Sequence, residues 1–198
     1  PTICVGNLAV GGTGKTPMAE YLITLLSANY KVALLSRGYG RKTRGFRLAN
    51  EHDTAQTIGD EPMQIHCRFP NLPVAVCADR VKGVKTLQHL FPDLQCIILD
   101  DAYQHRSLHC GFYILLTPYD CLYTNDHLLP WGRLRDLPNQ SHRANVIVVT
   151  KCPTNMKPID RRIVSNSLHL ASYQHLFYSS IQYTSLSTST TPLVVTGI

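Results

Sequence analysis

The stretch Val5–Pro17, VGNLAVGGTGKTP, contains the features that are most informative about the fold of this chain. It follows the apolar run Ile3–Val5 and precedes a segment whose apolar residues recur at helical spacing. Glycines let backbone N–H groups crowd inward, and a helix N-terminus adds unpaired donors and a partial positive charge. The stretch therefore predicts a phosphate-binding loop between a strand and a helix, formed by Gly11, Gly12, Thr13, Gly14, Lys15, Thr16 and Pro17.

Two side chains of this loop carry the expected chemistry. Lys15 can reach the β- and γ-phosphates of a nucleotide, and the Thr16 hydroxyl can hold Mg²⁺. The match to the pattern G-x-x-x-x-G-K-[ST] is incomplete, because Ala9 stands at the position of the first glycine. The alternative is a glycine-rich turn with a chance Gly-Lys-Thr. The strand before the loop and the helix after it favour the nucleotide site.

Composition narrows the class of protein. The 198 residues, 44% of them hydrophobic, suit one domain or one domain with an appendage. The net charge of +6 favours anionic partners such as nucleotides, phosphorylated substrates or anionic lipid, and equally suits a merely soluble basic surface. Seven cysteines without a C-x-x-C pair indicate a reducing compartment without disulfides or zinc. We see no signal peptide and no apolar run of membrane-spanning length.

Apolar runs alternate with helical patterns along the chain. This alternation predicts an α/β fold, with a mainly parallel sheet and helices on both faces. Expected strands are Thr2–Val5, Val32–Leu35, Phe46–Leu48, Val74–Cys77, Cys96–Leu99, Phe112–Leu116, Val146–Val149, Leu176–Tyr178 and Leu193–Thr196. Expected helices are Thr16–Leu26, Met63–Cys67, Val81–Leu90 and Ile159–Leu168. We expect a core over residues 1–170 and the start of a strand-rich C-terminal portion over 171–198, with a Ser/Thr-rich connector at Thr184–Thr191.

Two pairs of carboxylates are candidates for the chemistry. Asp100 and Asp101 directly follow the buried strand Cys96–Leu99. An apolar strand that delivers a carboxylate to Mg²⁺ beside a phosphate loop is the Walker B arrangement. Asp60 and Glu61 follow a glycine at an expected helix start. That position suits a metal-side or base role and a helix cap equally well.

Basic and aromatic loops supply the other candidates. The segment Ser36–Gly45 follows a strand end, where ligands of open α/β sheets bind, and it is rich in arginine and glycine. It predicts an anion clamp, with a solvated basic loop as the alternative. Trp131, among arginines, could contact an amphipathic substrate or a membrane, or pack as a lid on the core. Pro153 stands where guanine-specific P-loop proteins have Asp, which argues against GTP.

Taken together, several motifs resemble the tetraacyldisaccharide 4′-kinases of lipid A synthesis. Gly-Lys-Thr alone is generic, whereas Ser-Arg-Gly-Tyr-Gly-Arg, Gly-Asp-Glu-Pro and Asp-Asp-x-x-Gln-His together are highly specific. The matching stretches cover nearly all of the chain and are Val5–Asn7, Gly11–Pro17, Ser36–Arg41, Gly59–Pro62, Asp79–Arg80, Asp100–Arg106, Leu128–Asp136 and Val148–Lys151. The chain departs from the family pattern at Ala102, Trp131 and Arg133.

The resemblance implies a P-loop kinase that acts peripherally on the cytoplasmic face of the inner membrane of Gram-negative bacteria. It would transfer the γ-phosphoryl group of ATP, with Mg²⁺, to the 4′-hydroxyl of an acylated glucosamine disaccharide 1-phosphate, a lipid A precursor. A regulatory or partitioning P-loop ATPase is the alternative. A nucleic acid partner is not expected, because the basic residues are not interleaved with aromatic ones.

The resemblance also implies roles for single residues. Asp60 would act as the base, with Lys15 and Asp101 in the catalytic set, and Thr16, Glu61 and Asp100 would hold Mg²⁺. Substrate contacts are expected from Arg37, Arg41, Arg80, Gln104 and His105. Two family regions, an N-terminal membrane-associated helix and a later segment with an Asp-His-His-like motif, are not found, so we expect a truncated core.

Overall fold

The computed structural model of the protein describes residues 1–182 as a sheet flanked by helices. Its strands are β1 (Thr2–Asn7), β2 (Val32–Ser36), β3 (Arg47–Leu48), β4 (Val74–Val76), β5 (Cys96–Asp100), β6 (Phe112–Pro118), β7 (Val146–Thr150) and β8 (His175–Tyr178). Its helices are α1 (Lys15–Ser27), α2 (Ala55–Ile58), α3 (Asp60–Arg68), α4 (Arg80–Leu90) and α5 (Pro158–Leu168), with 3₁₀ turns at Tyr123–Asn125 and Pro138–Arg143.

The eight strands form one sheet in the order β3-β4-β2-β5-β1-β6-β7-β8. Every neighbouring pair is parallel except β3 with β4. In the centre, Val5 of β1 lies opposite Asp100 of β5 on one side and Ile114 of β6 on the other. The carboxyl ends of β1 and β5 therefore lie side by side, where ligands of such sheets bind.

Helices cover both faces of the sheet because the strands are apolar on both faces. Successive residues of a strand point to opposite sides, so Cys4 and Val5 belong to two different hydrophobic cores. One core packs Leu87 of α4 and Leu168 of α5 against the sheet. The other packs Ile23 of α1, together with a residue of α3, against the opposite face. The predicted fold class is confirmed.

The first helix buries Ala19, Leu22 and Ile23 against the sheet. Of the four apolar residues whose helical spacing predicts this helix, Met18, Leu22 and Leu26 pack against the core, whereas Leu25 is 54% exposed. The helix also buries Glu20, whose carboxylate accepts hydrogen bonds from Gln64 and Arg68 of α3.

The segment before α3 holds a short helix, α2, that the sequence analysis did not predict. Gly59 separates α2 from α3 with a φ of +95°, and a Cβ there would lie 2.9 Å from the Tyr39 carbonyl oxygen. Only glycine fits this crossing without strain. As a result α3 begins at Asp60, three residues before the predicted start at Met63, and its first turn contains Asp60 and Glu61.

The C-terminal end of the described region continues the main sheet, because β8 pairs in parallel with β7. The expected strand Leu193–Thr196 and the connector Thr184–Thr191 lie outside the described residues. The division of the chain near residue 170 stays a prediction. Within residues 1–182, no helix is both long enough and apolar enough to cross a bilayer.

Candidate active site

Two buried polar side chains at strand ends hold the phosphate loop at Thr13. Asn7, the last residue of β1, is fully buried and donates from Nδ2 to Thr13 Oγ1 at 2.7 Å. The hydroxyl of Thr150, at the end of β7, donates to the Thr13 carbonyl oxygen at 2.9 Å. These contacts hold Thr13 inside the loop. Neither Asn7 nor Thr150 was among the predicted site residues, although a polar residue at the end of an apolar strand is a usable signal.

The loop backbone leaves space for phosphate above it. Gly11 and Gly14 have φ of +100° and +88°, in the left-handed region that favours glycine. A Cβ added at Gly11 or Gly12 would meet no atom within 4 Å. The loop therefore presents backbone N–H groups to an open volume at the start of α1, as phosphate binding requires.

Ala9 replaces the first glycine of the motif without strain. Ala9 pairs with Leu134 in an isolated antiparallel β-bridge, so the backbone is extended at Ala9. Extended backbone suits any residue with a Cβ. The loop that follows β6 thus supports the phosphate loop from the outside.

Asp100 is the most unusual carboxylate of the structure. Asp100 is the last residue of β5 and is 1% exposed. Neither of its carboxylate oxygens has a hydrogen-bond partner among the described residues. Burial, followed by the negative charges of Glu61 and Asp101, raises the pKa of Asp100 to about 7. A buried carboxyl group without donors is stable when it is protonated or when a cation lies beside it, so the arrangement fits Mg²⁺.

Asp101 lies in a different environment. Burial alone would raise its pKa, but hydrogen bonds from Arg135 and the charge of Lys15 hold the pKa of Asp101 below its usual value. Arg135 donates to both carboxylate oxygens, with Nη1 at 3.2 Å from Oδ2, and Lys15 Nζ lies 3.8 Å from Oδ1. Asp101 is therefore a charged residue held between two cations, whereas Asp100 keeps its oxygens free.

Arg135 is a site residue that the sequence analysis missed. Besides Asp101, its Nη2 contacts Asn7 Oδ1 at 2.6 Å, and its backbone N–H donates to the Leu8 carbonyl oxygen at 2.8 Å. Arg133, two residues earlier, keeps 58% of its side chain exposed. The sequence signal was a cluster of arginines in one loop. It could not tell which guanidinium turns inward.

The phosphate loop shares a cavity with the carboxylates of α3. The cavity has a volume of about 450 Å³, and Gly11, Lys15, Asp60, Glu61 and Asp101 are among the residues that line it. Asp60 and Glu61 are exposed at the first turn of α3, and the N-cap residue is Gly59. The structure therefore brings together two motifs that are far apart in the sequence.

A neighbouring cavity of about 320 Å³ collects most of the expected substrate residues. Its lining includes Arg37, Arg80, Gln104 and His105. Arg37 is exposed, and burial lowers the pKa of His105. Gln104 donates to the Asn7 carbonyl oxygen at 2.7 Å, which ties this wall to the end of β1.

Two of the predicted arginines have backbone partners. Arg80 is 2% exposed and donates to the carbonyl oxygens of Cys77 at 2.6 Å and Asp100 at 3.2 Å. Its position favours orientation of the Asp100 strand end over direct phosphate contact. Arg41 lines neither cavity, and its Nη2 donates to the Gly45 carbonyl oxygen at 2.6 Å. The structure thus does not bring Arg41 to the other substrate candidates.

An apolar cavity of about 520 Å³ adjoins the loop at Gly14. Pro17 and Tyr21 of α1 line it, together with Lys151 and Ser179, which follow β7 and β8. It extends along β7 from Val146 to Thr150, so only its end beside Gly14 and Lys151 lies at the carboxyl edge of the sheet. The base of a bound nucleotide is expected at that end.

A parallel sheet with a glycine-rich loop between β1 and α1, and a buried aspartate at the end of the adjacent strand, defines a P-loop nucleotide-binding protein. Residues 1–198 match the family described as tetraacyldisaccharide-1-P 4′-kinase, and the chain belongs to that family. The resemblance found in the sequence is confirmed.

Individual relatives agree with the family match. A tetraacyldisaccharide 4′-kinase of Bacteroides thetaiotaomicron is 51% identical over 187 residues, covering 94% of this chain and 49% of that protein. One of Flavobacterium johnsoniae is 51% identical over 183 residues, covering 92% and 54%. A crystal structure described as "apo" form LpxK from Aquifex aeolicus in complex with ATP has 37% identity and a TM-score of 0.67, covering 75% and 47%. The chain spans about half the length of the curated relatives it matches.

Proposed function

We propose that the chain carries the core of an ATP-dependent kinase. The kinase transfers the γ-phosphoryl group to the 4′-hydroxyl of an acylated glucosamine disaccharide 1-phosphate, a lipid A precursor. The relatives' names and the ATP complex of one relative support this reaction. The main structural support for a kinase is the shared cavity, which is lined by Lys15 and the phosphate loop together with Asp60 and Glu61. A regulatory ATPase has no need for a second pair of carboxylates opposite its phosphates.

The loop and its neighbours bind the nucleotide. Gly11–Gly14 and Lys15 contact the β- and γ-phosphates, while the base occupies the apolar cavity beside Tyr21. Thr16, Asp100 and Glu61 would hold Mg²⁺, which neutralises the charge that develops on the phosphates. Such a sparse set of protein ligands suits Mg²⁺, which keeps several waters. Residues 1–182 contain no cluster of three or more His, Cys, Asp or Glu placed to hold a metal.

The acceptor enters opposite the phosphate loop. Asp60 lines the shared cavity and would accept the proton of the attacking hydroxyl as its oxygen bonds to the γ-phosphorus. In the same step the bond from that phosphorus to the β–γ bridging oxygen breaks, and ADP leaves. Arg135 and Lys15 hold Asp101, so its negative charge does not repel the incoming phosphate. Arg37, Gln104 and His105 offer contacts to the anionic acceptor in the neighbouring cavity, and Arg80 orients the end of β5. The enzyme acts as a peripheral protein on the cytoplasmic face of the Gram-negative inner membrane, without a nucleic acid partner.

A transfer assay tests this function. We expect Mg²⁺-ATP labelled at the γ-phosphate to pass its label to a tetraacyldisaccharide 1-phosphate in the presence of the chain. Label released only as inorganic phosphate, at a rate independent of the lipid, would contradict the proposal and support a regulatory ATPase. Omission of Mg²⁺ and replacement of the acceptor by its 4′-deoxy analogue are the matched controls.

The Asp100→Asn variant tests the metal site through stability. The pKa of Asp100 is raised to about 7 in the folded protein, against about 4 in an unfolded chain. The contribution of Asp100 to the free energy of unfolding is therefore fully present below about pH 4. It is lost as the pH rises through about 7. Without metal at pH 8, we therefore expect Asp100→Asn to raise the melting temperature. With ADP present, adding Mg²⁺ should raise the melting temperature of the wild type but not of the variant.

Asp101→Asn is the control, because it is expected to change the melting temperature in the opposite direction. Its pKa is depressed, so Asp101 stabilises the fold above the unfolded pKa, and the variant should melt earlier at pH 8. Thermal unfolding of both variants with and without Mg²⁺ measures the two effects. A lower melting temperature for metal-free Asp100→Asn at pH 8 would mean that Asp100 has a partner in solution and is not an open metal ligand.

A further inference from the structure

Residues 126–136, here named the Trp131 loop, display apolar side chains beside the candidate site. Leu128, Leu129 and Trp131 are 41%, 52% and 91% exposed. Adjacent exposed apolar residues of this size mark an interaction surface. We propose that the Trp131 loop docks the protein on an anionic lipid bilayer and inserts these three side chains at headgroup level. The proposal rests on the proposed function for the identity of the acceptor as a bilayer lipid.

The Trp131 loop is an ordered turn, so hydrogen bonds within the loop hold its apolar side chains in exposed positions. The Asp126 carboxylate accepts hydrogen bonds from the backbone N–H groups of His127 at 2.8 Å and Arg133 at 3.1 Å. The backbone N–H of Trp131 donates to the Leu128 carbonyl oxygen at 3.0 Å. A Cβ at Gly132 would lie 2.3 Å from the His127 carbonyl oxygen, so the turn needs glycine there. A preorganised turn inserts without a large ordering cost.

The loop is joined directly to the active-site cavity. Leu134 is 1% exposed and anchors the loop in the core. The backbone N–H of Val10 donates to the Arg133 carbonyl oxygen at 2.8 Å, and Val10 both lines the 450 Å³ cavity and is 40% exposed. Val10 therefore places an exposed apolar side chain between the Trp131 loop and the cavity that Asp60 lines. This arrangement suits an acceptor whose acyl chains stay in the bilayer.

The rim of the loop has the charge that an anionic surface requires. Arg133 and Arg106 expose 58% and 63% of their side chains, whereas their partners Asp126 and Asp136 expose only 10% and 12%. The guanidinium groups therefore face solvent and the carboxylates do not. Tryptophan and arginine both suit the boundary between headgroups and acyl chains. If a second copy of the chain bound at this loop, the exposed arginines of the two copies would repel each other. The favoured binding partner of the loop is therefore an anionic bilayer.

Trp131 itself reports the contact, because it is the one tryptophan of the chain. We expect vesicles of phosphatidylethanolamine and phosphatidylglycerol to shift its emission to the blue, and brominated lipids to quench it, with neither nucleotide nor acceptor present. Phosphatidylcholine vesicles should give weaker binding. Leu128→Ser should lower vesicle affinity about tenfold, and Arg133→Gln about fivefold on anionic vesicles.

Leu25→Ser is the matched control, since Leu25 is 54% exposed on α1 and lies outside the loop. It should bind vesicles as the wild type does. Co-sedimentation with vesicles without any change in Trp131 emission would overturn the proposal, because another surface then docks. A blue shift that follows protein concentration without vesicles would overturn it in favour of a second copy. Phosphorylation of a dispersed short-chain acceptor, measured separately, tests the proposed function independently of docking.

Discussion

Replacement of Lys15 by alanine is expected to lower phosphoryl transfer by at least about 10³-fold, because removing preorganised electrostatic stabilisation has effects of this scale. Phosphoryl transfer needs little covalent help from the protein, so the placement of charge supplies most of the rate. Lys15 lines the shared cavity, and its side chain is only 13% exposed. Its ammonium group therefore acts in a partly dehydrated site, where its charge is poorly screened.

The fold of the Lys15→Ala variant should stay intact. Asp101 keeps its hydrogen bonds to Arg135, so loss of the lysine does not leave a buried charge without a partner. The measurements are the transfer rate to the lipid acceptor and the melting temperature. Lys85→Ala is the control, because Lys85 is exposed on α4 and its loss changes net charge equally. A near wild-type rate for Lys15→Ala would mean that the loop does not hold the transferred phosphate.

The second large effect is expected for Asp60→Asn, which should lower the transfer rate by about 10²–10⁴-fold, the scale of general acid–base assistance. Asp60 is exposed in the first turn of α3 and lines the cavity shared with Lys15. An asparagine has nearly the same shape but cannot accept the proton of the acceptor hydroxyl. The melting temperature should change little, because Gly59 and not Asp60 occupies the N-cap position.

Asp79→Ala provides the contrasting control. Asp79 caps α4, where its carboxylate accepts a hydrogen bond from the backbone N–H of Lys82 at 3.0 Å. Loss of this cap should cost about 1 kcal/mol of stability while the transfer rate stays near normal. If Asp60→Asn instead behaves like Asp79→Ala, with lost stability and unchanged kinetics, then Asp60 has a structural role and the base lies elsewhere.

Local patterns in the sequence determined the class of fold and the location of the site. The apolar runs Thr2–Val5, Cys96–Leu99 and Val146–Val149 predicted buried parallel strands, because side chains that face helices on both sides must all be apolar. The glycine-rich loop between a strand and a helix predicted the phosphate site, since the required backbone geometry depends on a few adjacent residues. Each of these features spans only a few adjacent residues, so it can be recognised from one amino-acid sequence without an alignment.

The environment of each side chain at the candidate site depends on contacts between distant segments of the chain. Asp100 and Asp101 are adjacent and equivalent in sequence, yet one has free oxygens and the other is held by Arg135, which lies 34 residues further along. Likewise Arg135 turns inward, whereas Arg41 bonds the backbone of its own loop. Such outcomes depend on the burial and charge created when distant segments meet, and a local pattern carries no information about that environment.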